Sequence, residues 1–339
     1  MPIDMHAHWI PKGLAEVFRK RVAPPRIVRG EDGREYMDSG FTRSSLPERF
    51  DELDTRLAEM EKHGISRGVL SLTPFYGIEC MPLADAVPLC RTFNDEVSGM
   101  CVARPDRFSG LAALPVAEFG AMLAEFERAT ALPGMVGAVL PGDAFLSARR
   151  GEKMRPLLEL ADRRRSILLV HYGRLVGDAE APKIDASDNP HSRYGTLDMQ
   201  ARLSQNMITF CMTDFLKPYP NLTMMSHNLG GNIAFEVSRL DHRSIIDRPQ
   251  DELPSKRIRA ARVLVDCNSL DARAIELAVD AYGADKIVLG SDGTAFGMKW
   301  TMDALREARL SVADKRKIAD DNAAAALARA NPGLAAAAE

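Results

Sequence analysis

The stretch Pro2-Ile3-Asp4-Met5-His6-Ala7-His8 sets three metal-capable side chains, Asp4, His6 and His8, at every second position. Residues two apart in a strand point to one face, so the spacing predicts a polar face opposed by Ile3, Met5 and Ala7. Imidazole and carboxylate side by side form a donor set for a divalent cation of borderline hardness. Three more residues of this kind close apolar runs: His171 in LLVHYG, His227 in MMSHN and Asp292 in IVLGSD. Four of the seven histidines stand at such ends, which points to a shared site. Taken singly, His171 reads equally as a hydrogen-bonded core histidine, and Asp292 as a cap for the turn SDGTAFG. Together, three imidazoles and a carboxylate suit Zn²⁺, with Mn²⁺ and Co²⁺ as alternatives, and leave a coordination position for water. His63, His191 and His242 fall in a charged helical segment, a long loop and a helix surface, without comparable context.

Such residues need strands to bring them together. Short apolar segments recur at 2–8, 67–72, 108–115, 135–141, 166–173, 222–228, 262–268 and 286–292. Between most of them lie segments with apolar residues at three- and four-residue spacing, among them 50–64, 154–165 and 271–283. The first and last of these close on Gly64 and Gly283, as helices commonly do. Eight strand–helix alternations predict an α/β fold of the (β/α)₈ TIM-barrel type. An open doubly wound sheet is the alternative, and the lack of GxGxxG after an early strand counts against its nucleotide-binding versions. One domain is expected over 1–339. Long connections at 9–49 and 174–200, after the first and fifth strands, would form a hood over the mouth of the barrel. C-terminal helices over 302–335 would cover its flank.

Composition narrows the partners. Hydrophobic residues make up 46% and charged residues 27% of the 339, and the net charge is −3 with both signs scattered. No basic footprint for nucleic acid or an anionic membrane follows from that balance. No apolar run reaches the roughly 18 residues of a membrane span, and no secretory leader stands at the start, so a cytoplasmic location is expected. The five cysteines, Cys80, Cys90, Cys101, Cys211 and Cys267, are odd in number and contain no CxxC pair, which predicts free thiols.

With HAH near the start, HYG, SHNLGG and a late GSD, the chain resembles the amidohydrolase superfamily. Within it, the match is to the amidohydrolase-2 group, which includes α-amino-β-carboxymuconate-ε-semialdehyde decarboxylase. The resemblance covers essentially the whole chain. No lysine ends the fourth strand, in GAVLPGD, so the carbamylated lysine that bridges two metals in other members of the superfamily is missing and one metal is implied. The resemblance implies that His6, His8, His171 and Asp292 ligate that metal, with His227 an unligated acid/base and Asp292 part of the catalytic set. It places Arg56, in DTRLAEMEKHG, on the substrate carboxylate, and Arg239, in FEVSRLDH, in the neighbouring subunit's site within a homodimer. Asn228, expected with these two arginines among the substrate-binding residues, follows His227 where the group commonly reads HGGG, one residue shorter, which shifts the register toward Arg239. On the residues alone, Arg56 reads equally as a surface charge paired with Glu52 or Glu59, and Arg239 as a helix-surface charge.

A metal-activated water beside a histidine serves two reactions. One is non-oxidative decarboxylation of an unsaturated or aromatic carboxylic acid, which the resemblance and Arg56 favour. The other is hydrolysis of a ring-cleavage product or lactone. A barrel acting only as a binding subunit would have no need of all five site residues.

Overall fold

The computed structural model of the chain describes residues 1–40, 43–78, 81–175, 183–185, 187–293 and 297–330. Parts of the 174–200 connection, most of the GTAFG segment, Cys80 and the end of the expected C-terminal helices therefore lie outside the described residues. Among the described residues the strands are β1 (Ile3–His8), β2 (Arg26–Arg29), β3 (Glu35–Asp38), β4 (Arg43–Ser45), β5 (Arg67–Ser71), β6 (Phe108–Ala112), β7 (Met135–Pro141), β8 (Ile167–His171), β9 (Thr223–Ser226), β10 (Val263–Asp266) and β11 (Ile287–Val288).

All eight strands expected from the apolar runs are present. They pair in parallel in the order β1-β5-β6-β7-β8-β9-β10-β11. Two backbone bonds join the ends of that ribbon: Met5 N–H donates to Leu289 O (2.8 Å) and Asp292 N–H to His6 O (2.8 Å). The fold is a TIM barrel with helices outside, as the alternation predicted. One apolar cluster takes residues from the strand faces that point inward, including Ile3, Met5, Val69, Leu111, Ile167, Leu169, Met225 and Val288. A larger cluster joins the outward faces, such as Leu168 and Val170, to helix residues such as Met60, Phe93 and Phe126.

The helices begin and end where their sequences allow. Helix Leu53–Lys62 is followed by Gly64 at φ +69°, a conformation that suits glycine. Helix Ala272–Tyr282 starts at Asp271, whose side chain accepts from the Arg273 and Ala274 N–H groups, satisfying two donors of the first turn.

Two expectations are corrected. The 9–49 connection is not a bare loop: it holds helix Lys12–Lys20 and the antiparallel sheet β2-β3-β4. Gly33, at φ +77°, turns the β2–β3 hairpin, and Arg26 pairs with Asp38 across it at 3.1 Å. The last helix, Asn322–Ala330, does not lie on the flank. Its Ala323, Ala326 and Leu327 join the interior cluster. It approaches β1, β7, β8 and β11 together, so it closes the amino-terminal end of the barrel.

Candidate metal centre

The first strand does not run straight. Ile3 and Met5 pack in the interior, whereas Ala7 packs with the outer helices. Between Asp4 and Ala7 the register against β5 shifts by one residue, a β-bulge that re-aims the side chains after it. The expected single face of Asp4, His6 and His8 is therefore split. Asp4 is fully buried and accepts from the N–H and hydroxyl of Ser291 and from His6 N–H, which ties β1 to the chain after β11. His6 and His8 turn together into the mouth of the barrel.

There they meet His171 from the end of β8 and Asp292 from beyond β11. One donor atom from each of the four lies within 4.8 Å of every other, and all four residues are buried. His6 Nε2 is 2.9 Å from His8 Nε2, and His8 Nε2 is 3.1 Å from His171 Nε2. Asp292 Oδ1 stands 3.2 Å from His8 Nε2 and 3.7 Å from His6 Nε2.

The outer nitrogens explain why the inner ones converge. His6 Nδ1 donates to Asp266 Oδ2 at 2.7 Å, and His171 Nδ1 to Tyr172 O at 2.8 Å. His8 Nδ1 donates to Ser71 Oγ at 2.9 Å, and that hydroxyl in turn reaches Ala7 O. A carbonyl can only accept, so the His171 proton sits on Nδ1 and a lone pair faces inward. The inward nitrogens of His8 and His171 crowd to about 3 Å beside the Asp292 carboxylate and favour positive charge among them, whether a proton on His6 or a cation that replaces it. The donor set thus fits a divalent ion held by His6, His8, His171 and Asp292, with the outer partners orienting the ligands.

Electrostatics follow from burial. His8 and His171 are pushed down, the latter to about 3, by burial and by the charge of His6 nearby. Burial also opposes charge on His6, but Asp266, with Asp292 and Asp4 behind it, outweighs that and raises it to about 9. Burial lifts Asp292 to about 6, with His6 acting against the rise and Asp266 and Asp4 adding to it.

His227 follows β9 and stacks on His171, with ring centroids 4.0 Å apart and planes at 14°. Tyr172 N–H donates to its Nε2 at 2.8 Å, which leaves the neutral ring's proton on Nδ1. That Nδ1 is buried without a partner among the described residues. Burial, then the His171, His6 and His8 neighbours, hold its pKa well below the ordinary value. The turn behind it is left-handed over Asn228 (φ +50°), Leu229 (+52°), Gly230 (+68°) and Gly231 (+75°). Left-handed non-glycine residues cost about 1–3 kcal/mol each, and anchors hold these two. Asn228 N–H donates to Asp266 Oδ1 (2.9 Å), and Tyr282 Oη donates to Leu229 O (2.9 Å). At Gly231 a Cβ would meet Gln200 O at 2.3 Å, so only glycine fits there.

Arg56 is buried on helix Leu53–Lys62 and not paired at the surface. Its Nη1 donates to Gly293 O (2.7 Å) and His8 O (3.3 Å), while Nε and Nη2 have no partner among the described residues. Burial lowers its pKa, against the pull of Asp4. The Asn228 side chain engages its neighbours: its Oδ1 accepts from Asn268 Nδ2 at 2.9 Å. Arg239 is not brought to the centre of its own chain. Its side chain is 78% exposed on helix Ile233–Asp247 and pairs with Glu236 at 3.3 Å.

Residues that the sequence reading passed over complete the centre. Asp266, at the end of β10, binds His6 and the N–H groups of Asn228 and Asn268. Asn268 Nδ2 also reaches Asp292 Oδ2 at 3.3 Å. The run RVLVDCN carried the signal, because its polar residues close a strand just as the histidines do. Ser71 at the end of β5 gave none, being a single small hydroxyl.

A parallel barrel with a histidine–aspartate cluster at the carboxyl ends of its strands has the layout of a TIM barrel that can hold a metal ion. Residues 3–329 match the model of the family described as Amidohydrolase (Amidohydro_2), and the chain belongs to that family. It is 23% identical over 317 residues to the γ-resorcylate decarboxylase of Rhizobium radiobacter, covering 86% of this chain and 92% of that one. Its fold matches 5-carboxyvanillate decarboxylase from Sphingomonas paucimobilis with a TM-score of 0.73 at 19% identity, over 96% of this chain and 98% of the other. It also matches a dihydroxybenzoic acid decarboxylase from Polaromonas, which holds manganese and 2-nitroresorcinol. That TM-score is 0.68 at 18% identity, over 96% of each chain. Among the described residues, no helix is long and apolar enough to cross a membrane.

Proposed function

We propose that this protein is a metal-dependent decarboxylase of an aromatic or unsaturated carboxylic acid. The observation that carries the reading is the joining of three features: the four-ligand cluster, the stacked His227, and an arginine with one edge free. Decarboxylase activity is what the relatives named above have in common.

A divalent ion, Zn²⁺ or Mn²⁺, held by His6, His8, His171 and Asp292 would supply Lewis acidity toward a substrate oxygen. The chain's own groups do the rest. Arg56 has Nη1 fixed on two carbonyls, so its buried, unpaired Nε–Nη2 edge is the one that would hold a carboxylate through two parallel bonds. His227 bears its proton on an Nδ1 free of partners among the described residues. A neutral imidazole does not give up its one N–H, so the ring first takes a proton from solvent, favoured by the negative charge of the bound acid. The imidazolium then protonates the carbon carrying the carboxylate and returns to neutral. The carbon–carbon bond then breaks, its electron pair returns to the unsaturated system, and CO₂ leaves. The proton comes from solvent, so the net change replaces CO₂ by H. Burial of the site residues lowers the local dielectric, which strengthens each of these contacts. In a homodimer, the exposed Arg239 is available to the neighbouring subunit's site.

The deciding experiment measures CO₂ release and substrate loss together. Metal-loaded protein would be offered hydroxylated benzoates and carboxylated muconate-type acids. CO₂ appearing in step with substrate loss is the expected result. Substrate loss without CO₂ would move the chemistry to hydrolysis at the same centre.

A further inference from the structure

We propose that a basic cavity at the amino-terminal end of the barrel, opposite the metal centre, binds a compact polyanion. The cavity encloses about 360 Å³, within the roughly 300–1,000 Å³ typical of small-molecule sites. It lies where β9 and β10 begin and the last helix crosses the barrel floor. Arg165, Arg262, Lys286 and Arg329 line it, against one carboxylate, Asp285.

These four cations share a single lining counter-charge, Asp285. Among the described residues, Lys286 alone of the four has an ion pair, to Asp285 at 3.7 Å. Arg262 is held by main chain only, donating to Pro220 O at 2.7 Å and to Leu216 O and Tyr219 O at 3.4 Å. Arg329 reaches just the Thr223 hydroxyl, at 3.4 Å. The Arg165 guanidinium has no hydrogen bond or ion pair among the described residues. The nearby Asp162 is engaged elsewhere, its oxygens accepting from Asn221 and Leu222.

Three guanidinium groups and an ammonium brought to one cavity repel one another, and a multivalent anion converts that repulsion into charge-assisted hydrogen bonds. The ends of the cavity add a consequence. Arg329 belongs to the last helix, whereas Arg165, Arg262 and Lys286 precede β8, β10 and β11. A bound anion would therefore clamp that helix onto the barrel floor. This end of a TIM barrel serves stability rather than chemistry, so the ligand would act as a stabiliser or effector and not as a substrate.

The test titrates metal-loaded full-length protein with pyrophosphate, and separately with citrate, at constant ionic strength. Calorimetry and thermal melting would be followed, with chloride as the control. A single saturable site with a rise in melting temperature is expected for at least one anion. Pyrophosphate alone would mark a phosphate-bearing ligand, citrate alone a polycarboxylate, and both a site that reads charge. In the double variant R165Q/R329Q, which alters two exposed side chains far from the metal centre, affinity should fall about ten-fold or more. No saturable binding above chloride would overturn the proposal. So would unchanged affinity in the double variant, which would place the anion elsewhere, the metal centre included.

Discussion

The carboxylate of Asp266 holds both halves of the centre. One oxygen accepts from His6 Nδ1 at 2.7 Å, and the other accepts from Asn228 N–H at 2.9 Å, in the turn that carries His227. A metal ligand and the candidate acid/base are thereby set by one side chain, which is itself fully buried. Asp266→Asn keeps the shape but removes the charge that raises His6. Loss of such an outer partner commonly costs 10–100-fold in metal affinity, and about that loss is expected here, read by competition with a chromogenic chelator. Unchanged affinity would confine Asp266 to the turn.

His171 and His227 are stacked neighbours with separable roles. His171 turns Nε2 toward His8, whereas His227 gives its Nε2 to Tyr172 N–H and keeps Nδ1 free. His171→Ala should therefore lose bound metal by elemental analysis. His227→Ala should keep the metal and lose about 10²–10⁴ in kcat, the usual scale of general acid–base catalysis. Full metal content in the first variant, or unchanged kcat in the second, would remove that residue from its assigned role.

Arg56 offers a test that separates binding from folding. Its removal strips Gly293 O and His8 O of a donor, so Arg56→Ala should also lower the melting temperature. Arg56→Lys keeps a buried cation able to reach one carbonyl, but it lacks the planar two-nitrogen edge. A ten-fold or greater rise in KM for the carboxylate substrate, with kcat changed less, is expected in Arg56→Lys. A variant that melts lower at unchanged KM would make the arginine a purely architectural link between β1 and Gly293.

The barrel was legible because buried parallel strands are written as nearly unbroken apolar runs, and each of the eight stood out against its flanking helix. The site was legible because imidazoles are few and stood where those runs stop. The bulge in β1 was not, since strict alternation assumes a straight strand, and nothing in IDMHAH marks the register shift that parts Asp4 from His6. Sheet β2-β3-β4 was hidden by its charges: RIVR and EYMD mix charged residues with apolar ones, and only Ile27 and Met37 of their apolar residues are buried. Asp266 was passed over because a carboxylate ending a strand reads as a cap until its partner, 260 residues away, is seen.

The alanine-rich last helix is the clearest case of a pattern whose meaning depends on its destination. Ala323, Ala326 and Leu327 look like one weak apolar stripe, yet they fill the narrow floor of the barrel against Ile3, Val69 and Val288. Small residues let the helix approach the strand ends closely, and Leu327, 4% exposed, is the largest side chain it inserts. Leu327→Ala leaves a cavity between the helix and every strand it touches, so it should cost about 2–5 kcal/mol of unfolding free energy. Val312→Ala, at a position 86% exposed just upstream, should stay within about 0.5 kcal/mol of the parent. Denaturant unfolding of metal-loaded protein reads both. Equal stability of the two variants would mean that the floor of the barrel is sealed without this helix, and that its alanines merely lie against the surface.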